Sequence, residues 1–468
     1  MLSRLFAFLF KRQTHHIITE QRDFQVLNEL APVKGTSAAI ETPPPVQSGN
    51  RPDEETDRSV ICREATLNRE QRVAGYEFML RKGMRDRVHA QSRRIHHVYN
   101  EVVIRNLLHF SIHKLLGHRR AFITVLDSFL TNPLIDLLPG LGIVLTVLPM
   151  DDGSSIALDP VSFVTRVNEL KRRGFALALE ECFEGAHFAL LAPHVSYFIV
   201  KTTQHSPAEL KQIAERLGRL SDGITLIARD LQSFDDFELC RHLGFALFQG
   251  PFVTNREDWT GNRAGPQTLH VCDLLNQLRR EVETAELAEL IKQDAVLSYR
   301  LLRYINSAAS GLRQPVASIE HALVLMGRQQ MYRWLTLLLF GSAQLSPHAA
   351  AVQESALARG RLMELVGNQT LTVAECDGLF VTGLFSMLDL VLQMPLSEAL
   401  KPLNLPEAVN AALLHRQGPY APFLELALAC ETSDPDRIEA AAGRCGVEIS
   451  AVNTRHFEAM AWVQELQL

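Results

Sequence analysis

The sequence predicts an α/β plus all-α protein: a modified (β/α)8, TIM-like barrel followed by an all-helical domain. Three observations carry this. From Val60 to Phe248, eight short β-branched or apolar runs recur with helical stretches between them, the pattern of βαβ units on a parallel sheet. About eight such strands in one run close on themselves as a barrel. Beyond Pro266 the strands stop, and apolar residues recur at three- and four-residue spacing, as on buried helix faces.

The bulk properties fit this architecture and exclude others. A chain of 468 residues, 47% hydrophobic and 21% charged, has material for two or three domains with sizeable cores. Its net charge of -6 argues against a general nucleic-acid binder. No apolar run reaches the roughly 18–20 residues that cross a bilayer. The seven cysteines, Cys62, Cys182, Cys240, Cys272, Cys376, Cys430 and Cys445, form no C-x-x-C pair and are odd in number. Reduced thiols of a cytoplasmic protein are expected, not a disulfide framework or a zinc site.

The elements follow in order. Residues 1–57 read as a flexible leader and linker. The apolar start, Leu5 to Phe10, is too short for a signal peptide, and Thr42-Pro43-Pro44-Pro45 sits in a polar, proline-rich stretch. Residues 58–258 form the barrel. Its expected strands are Val60–Cys62, Val73–Leu80, Ala121–Leu126, Gly142–Leu148, Ala176–Glu180, Tyr197–Lys201, Thr225–Ala228 and Phe245–Phe248. The first two are joined by the polar Asn68-Arg69-Glu70-Gln71, which predicts a hairpin and hence one antiparallel strand. The helices between carry caps. Asp159-Pro160 opens one that Gly174 stops, Ser206-Pro207-Ala208-Glu209 opens one that ends at Gly218, and Ser233 opens one that Gly244 closes. Residues 266–468 form the helical domain, with breaks at Gly311–Pro315, Gly327, Ser346-Pro347, Gly367, Pro395, Pro402 and Gly418-Pro419.

Two sets of motifs resemble known families. Gly75-Tyr76-Glu77-Phe78-Met79-Leu80-Arg81 closes the second strand, and Phe248-Gln249-Gly250 ends the last. Together they resemble the EAL family of cyclic-di-GMP phosphodiesterases, whose opening motif reads E-x-L-x-R. Further on stand Ile291-Lys292-Gln293-Asp294, Leu301-Leu302-Arg303-Tyr304-Ile305-Asn306-Ser307 and Ser318-Ile319-Glu320-His321. These resemble an HDOD domain, a relative of the HD phosphohydrolases. The order of the two is similar to the bacterial EAL–HDOD (YuxH-like) signalling proteins, over about Val60 to Leu468. The literal tripeptide Glu398-Ala399-Leu400 lies in the helical half, away from any strand, and reads as coincidence.

The resemblance implies a site whose ligands can be checked strand by strand. EAL enzymes use two hard divalent cations held by oxygen ligands at the C-terminal mouth of the barrel. Glu77 matches the first ligand, Arg81 the motif arginine and Lys201 the family's lysine. Thr124 stands where the family has asparagine, Thr146 and Pro149 where it has glutamates, and Thr203 where it has aspartate. Glu180 and Glu181 replace paired aspartates. Arg229 stands in place of the glutamate read as the base, where a cation would repel a metal and cannot take a proton from water.

Losses on several strands predict that two-metal hydrolysis is gone, with no catalytic residue, no metal site and no cofactor. Magnesium or manganese would enter only with a residual phosphodiesterase built on Glu77, Glu180, Glu181 and Lys201. The candidate ligand-binding residues, for cyclic-di-GMP, are Glu77, Arg81, Glu180, Glu181, Lys201 and Gln249. In the helical half no His-Asp dipeptide exists, and Ser386-Met387 occupy its positions. His109 and His113, spaced for one helix face, lack the glutamate of H-E-x-x-H, and an amphipathic helix is the simpler reading. The basic run Arg81, Lys82, Arg85, Arg87, Arg93, Arg94 reads as a solvated face.

The expectation is therefore a non-catalytic regulator in cyclic-di-GMP-linked control of motility, biofilm or virulence, acting by contact with diguanylate cyclases, kinases or response regulators. The alternatives are a metal-free cyclic-di-GMP receptor and a residual phosphodiesterase. EAL-like barrels often pair, so a homodimer belongs among the expected partners.

Overall fold

The structure is a computed structural model of the whole chain. It describes residues 60–80, 93–112, 116–117, 119–148, 160–180, 192–218, 223–255, 264–306, 316–342, 349–432 and 434–465. The leader 1–57 lies outside them. Two compact units result: one joins the chain up to Asn255 with Glu425–Leu468, and the other is Arg256–Leu424.

The first unit contains the barrel. Its strands are β1 (Cys62–Leu67), β2 (Val73–Met79), β3 (Arg120–Leu126), β4 (Ile143–Leu148), β5 (Ala176–Glu180), β6 (Tyr197–Lys201), β7 (Thr225–Arg229) and β8 (Leu247–Gln249). They close in sequence order. β1 runs antiparallel to both β2 and β8, and all other neighbours are parallel. The expected hairpin is present. Asn68 accepts from the Arg72 amide at 2.9 Å, and Gln71 turns through φ 57°. β1 differs from its prediction, continuing through Arg63 and Glu64 to Leu67. Those two charges mask the strand in the sequence. Here Arg63 lies over the Tyr76 ring, 4.1 Å from its centroid, and Glu64 meets the last strand.

The barrel helices include α1 (Arg93–His109), α2 (Pro160–Arg172), α3 (Pro207–Gly218) and α4 (Phe234–His242). The predicted caps form. Ser206 exchanges hydrogen bonds with Glu209, and Ser233 makes a full capping box with Asp236. Gly174 and Gly244 end their helices with positive φ. His109 packs edge-on against Phe110, with ring centroids 4.7 Å apart; His113 lies outside the described residues.

Inside the barrel, Phe122, Val144, Ala178, Tyr197, Ile199, Ile227 and Leu247 form one apolar cluster. They are the inward positions of successive strands, filling the lumen as side-chain layers.

Two C-terminal helices, α15 (Pro435–Cys445) and α16 (Ile449–Glu465), belong to this same unit. On α16, Phe457 stacks on Phe110 at 3.9 Å, and Gln464 accepts from Arg119 at 2.8 Å. Asn453 donates to Asn106, just before Phe110, at 3.4 Å. The helical domain expected over 266–468 thus divides at 424. Amphipathic spacing marks a buried face but does not say which core buries it.

The second unit is helical throughout its described residues: α5 (Pro266–Arg279), α6 (Thr284–Lys292), α7 (Ala295–Ile305), α8 (Ile319–Ser342), α9 (Ala349–Gly367), α10 (Val373–Phe385), α11 (Leu388–Leu392), α12 (Leu396–Leu400) and α13 (Glu407–Asn410), then a π-turn at Ala411–His415. The last helix, α14 (Ala421–Thr432), runs across the division between the units. Asp294 caps α7, accepting from the Val296 and Leu297 amides at 2.9 Å. The predicted break at Gly327 is a kink inside α8, with φ 69°. α9 and α10 meet backbone to backbone, since a Cβ on Gly383 would lie 2.6 Å from the Gly360 Cα. Glu398-Ala399-Leu400 sits on α12, with Ala399 and Leu400 buried.

Cys62, Cys240, Cys272, Cys376, Cys430 and Cys445 are free and buried; Cys182 lies outside the described residues. Burial pushes the thiols of Cys240 and Cys445 up to about 12 and that of Cys272 to about 11, which keeps them protonated. No described helix is long and apolar enough to cross a membrane.

Candidate functional site at the barrel mouth

Strand register decides which side chains meet. Glu77 pairs with Phe122, and Thr124 with Thr146 and then Ala178. Ile199 pairs with Glu180 and Ile227, and Lys201 with Arg229. Neighbours in register point to one face. The inward positions therefore change from apolar to polar toward the C-terminal ends of the parallel strands. Glu77, Thr124, Thr146, Glu180, Lys201, Arg229 and Gln249 come together there.

Arg229 is the centre of this layer. It is 1% exposed, and Glu77 and Glu180 are each 2% exposed. Its Nη1 donates to Glu180 Oε1, its Nη2 to Glu77 Oε2 at 3.1 Å, and its Nε to Gln249 Oε1 at 3.1 Å. One planar guanidinium thus binds two carboxylates and a carboxamide from three strands. Gln249 in turn donates through Nε2 to Glu77 Oε2 at 2.6 Å and Glu64 Oε2 at 3.2 Å. Thr124 Oγ1 donates to Glu77 Oε1 at 3.2 Å. Lys201 Nζ lies 3.7 Å from Glu180 Oε2. The Thr146 hydroxyl is buried and makes no hydrogen bond among the described residues.

The surrounding backbone holds this layer in place. Thr202 Oγ1 donates to the Arg229 carbonyl at 2.9 Å, fixing the end of β7. Beyond Gln249 the chain turns at Gly250, with φ 148°, and a Cβ there would sit 2.4 Å from the Leu231 carbonyl oxygen. Only glycine fits that approach, which lets the Leu231 amide donate to the Gln249 carbonyl at 3.1 Å.

Of the six candidate ligand-binding residues, four converge: Glu77, Glu180, Lys201 and Gln249. Arg81 and Glu181 lie outside the described residues, as does Pro149. Thr203 is exposed, on the turn after β6. The sequence reading underrated two residues. Glu64 has no motif to mark it. Arg229 reads as a charge that would repel a metal, yet its partners are the carboxylates themselves. They lie 152 and 49 positions away in the chain, so spacing carries no sign of them.

A divalent cation does not fit this arrangement. It would need several carboxylate oxygens at roughly 2.0–2.6 Å. All four oxygens of Glu77 and Glu180 face Arg229, Gln249, Thr124 or Lys201. Among the described residues no group of three or more His, Cys, Asp or Glu could hold a metal.

In the helical unit, Ser386 follows the end of α10. Its Oγ accepts from Arg359 Nη1 at 2.6 Å and donates to the Gly383 carbonyl at 2.6 Å. Arg359, Ser386 and Asp389 are all buried.

The HDOD domain family model matches residues 269–405. YuxH of Bacillus subtilis (strain 168), an uncharacterised protein, is 26% identical over 420 residues, covering 87% of this chain and 99% of its own. The cyclic di-GMP phosphodiesterase CdgJ of Vibrio cholerae is 26% identical over 413 residues, covering 87% of this chain and 92% of its own. Among solved structures, the Bacillus subtilis YkuI protein, with an EAL domain, in complex with cyclic-di-GMP and calcium, is 15% identical, with a TM-score of 0.35. That alignment covers 58% of this chain and 74% of YkuI.

The CdgJ match corrects one expectation. The substitutions at the mouth predict a chain that is no enzyme, a pseudoenzyme. A relative aligned along most of the chain is nevertheless a named phosphodiesterase, which overturns that expectation. The chain thus joins a closed eight-stranded barrel to a segment that matches the HDOD domain model, and it is similar along most of its length to YuxH and CdgJ.

Proposed function

We propose that this chain is a cyclic-di-GMP signalling protein of the cytoplasm, whose barrel mouth takes the dinucleotide and whose helical unit makes protein contacts. The homology to CdgJ along both parts of the chain carries this reading. The chemistry of the mouth supports it. A cyclic dinucleotide offers two anionic phosphodiesters and two guanine edges. Lys201, half-buried at the end of β6, is a cation able to meet a phosphate. Glu77, Glu180 and Gln249, tied to Arg229, form the polar floor beneath it, and Arg81 and Glu181 complete the candidate set. For the helical unit, Val296, Tyr299 and Tyr304 on α7 are exposed, as apolar side chains in contact surfaces are. Partners of that unit would be diguanylate cyclases, kinases or response regulators, or a second copy of the chain.

The test uses the purified full-length chain. Calorimetry measures cyclic-di-GMP binding, and chromatography follows its conversion to the linear dinucleotide. Binding is expected, and Lys201→Ala should weaken it about tenfold, as one lost charged contact does. Product formation alongside binding would assign phosphodiesterase activity; binding alone would assign a receptor. Neither binding nor product would overturn the proposal.

A further inference from the structure

We propose that Arg229 is the built-in cation of the barrel mouth: its guanidinium supplies the positive charge that holds Glu77 and Glu180 together, and the mouth takes up no divalent metal. The two carboxylates are almost fully buried and share one partner. Buried carboxylates facing one site repel each other unless a cation lies between them. The guanidinium is that cation. It is covalently attached, and its fork reaches both acids at once. Gln249 completes the arrangement by bonding Arg229 and Glu77 together. An entering divalent ion would meet a positive charge already seated among its would-be ligands. Binding or chemistry at this mouth then proceeds without metal. The inference does not rest on the dinucleotide reading, since its readouts are metal uptake and melting temperature.

The full-length protein is titrated with Mn²⁺ by calorimetry and melted with EDTA or millimolar Mn²⁺. The wild type should take up no Mn²⁺ and melt at one temperature in both. Arg229→Met removes the cation the two acids share, and its melting temperature should fall by roughly 10 °C. Millimolar Mn²⁺ should then recover part of that loss. Arg229→Lys, which keeps the charge but not the fork, should fall less. Mn²⁺ uptake by the wild type that Glu77→Gln or Glu180→Gln removes would overturn the proposal. So would an Arg229→Met protein that melts with the wild type. If Arg229→Met does not fold, the wild-type titration decides alone.

Discussion

Arg229 in the barrel unit and Arg359 in the helical unit are both buried, and the two meet different partners. In the barrel, Arg229 sits among carboxylates: the acids remain and a guanidinium joins them. In the helical unit, Arg359 donates to the hydroxyl of Ser386, at the position where the HD resemblance would place a metal-binding dipeptide. One arginine neutralises retained charge; the other is anchored at a site whose motif side chains have changed. The difference matters because a buried ion pair and a buried hydrogen bond respond differently when one partner is removed. Losing a member of a buried ion pair strands a charge, which costs more than losing the hydroxyl that a guanidinium bonds.

Four substitutions or conditions press on this contrast. Arg229→Met should be the most severe, costing about 3–5 kcal/mol by leaving Glu77 without its cation and Glu180 with Lys201 alone. Chemical denaturation reads this, with hydrogen exchange to show whether the loss falls on barrel peptides. Gly383→Ala strikes the helical unit through shape alone. Its new methyl would press on Gly360, and overpacking of this kind costs about 1–3 kcal/mol. Exchange should quicken in α9 and α10 while the β-strands stay protected.

Acid should separate the units next. Burial, then the Arg63 guanidinium, push His456 down to about 3. Burial also lowers His97, helped by Arg93, and His194, helped by Lys171. All three belong to the barrel unit. A folded value below the unfolded one means stability is full above about pH 6.5 and declines as pH falls toward the folded value. His456 alone should cost the barrel unit about 2 kcal/mol near pH 5. His456→Gln should flatten that decline in denaturation midpoints. The smallest effect is Ser386→Ala, about 1–2 kcal/mol from a lost bond to a buried guanidinium. A loss there as large as that of Arg229→Met would erase the contrast between the two arginines.

Much of the fold was legible because its signals are local. Val-, Ile- and Leu-rich runs mark β3 to β7, and Ser206, Ser233, Gly174 and Gly244 mark helix ends within a residue or two of where they fall. Gly327 marked the α8 kink, since few other residues adopt its backbone angles. What escaped is non-local. Arg63 and Glu64 hide the length of β1 because the Tyr76 ring and the Gln249 carboxamide that receive them belong to other strands. The site was legible as a set of positions but not as a network. Glu77, Glu180, Lys201 and Gln249 can be found by motif and strand end, whereas the role of Arg229 exists only once β2, β5 and β8 surround it.

The return of the C-terminal helices has a practical side. Since Glu425–Leu468 belongs with the barrel, Arg256–Leu424 is an insertion within a discontinuous domain, joined to its host by two covalent connections instead of one. A fragment cut at residue 258 would deprive Phe110, Asn106 and Arg119 of the aromatic and amide partners that α16 provides. Such a fragment should express as an incomplete body with an exposed aromatic seam, and co-expression with 425–468 should restore it.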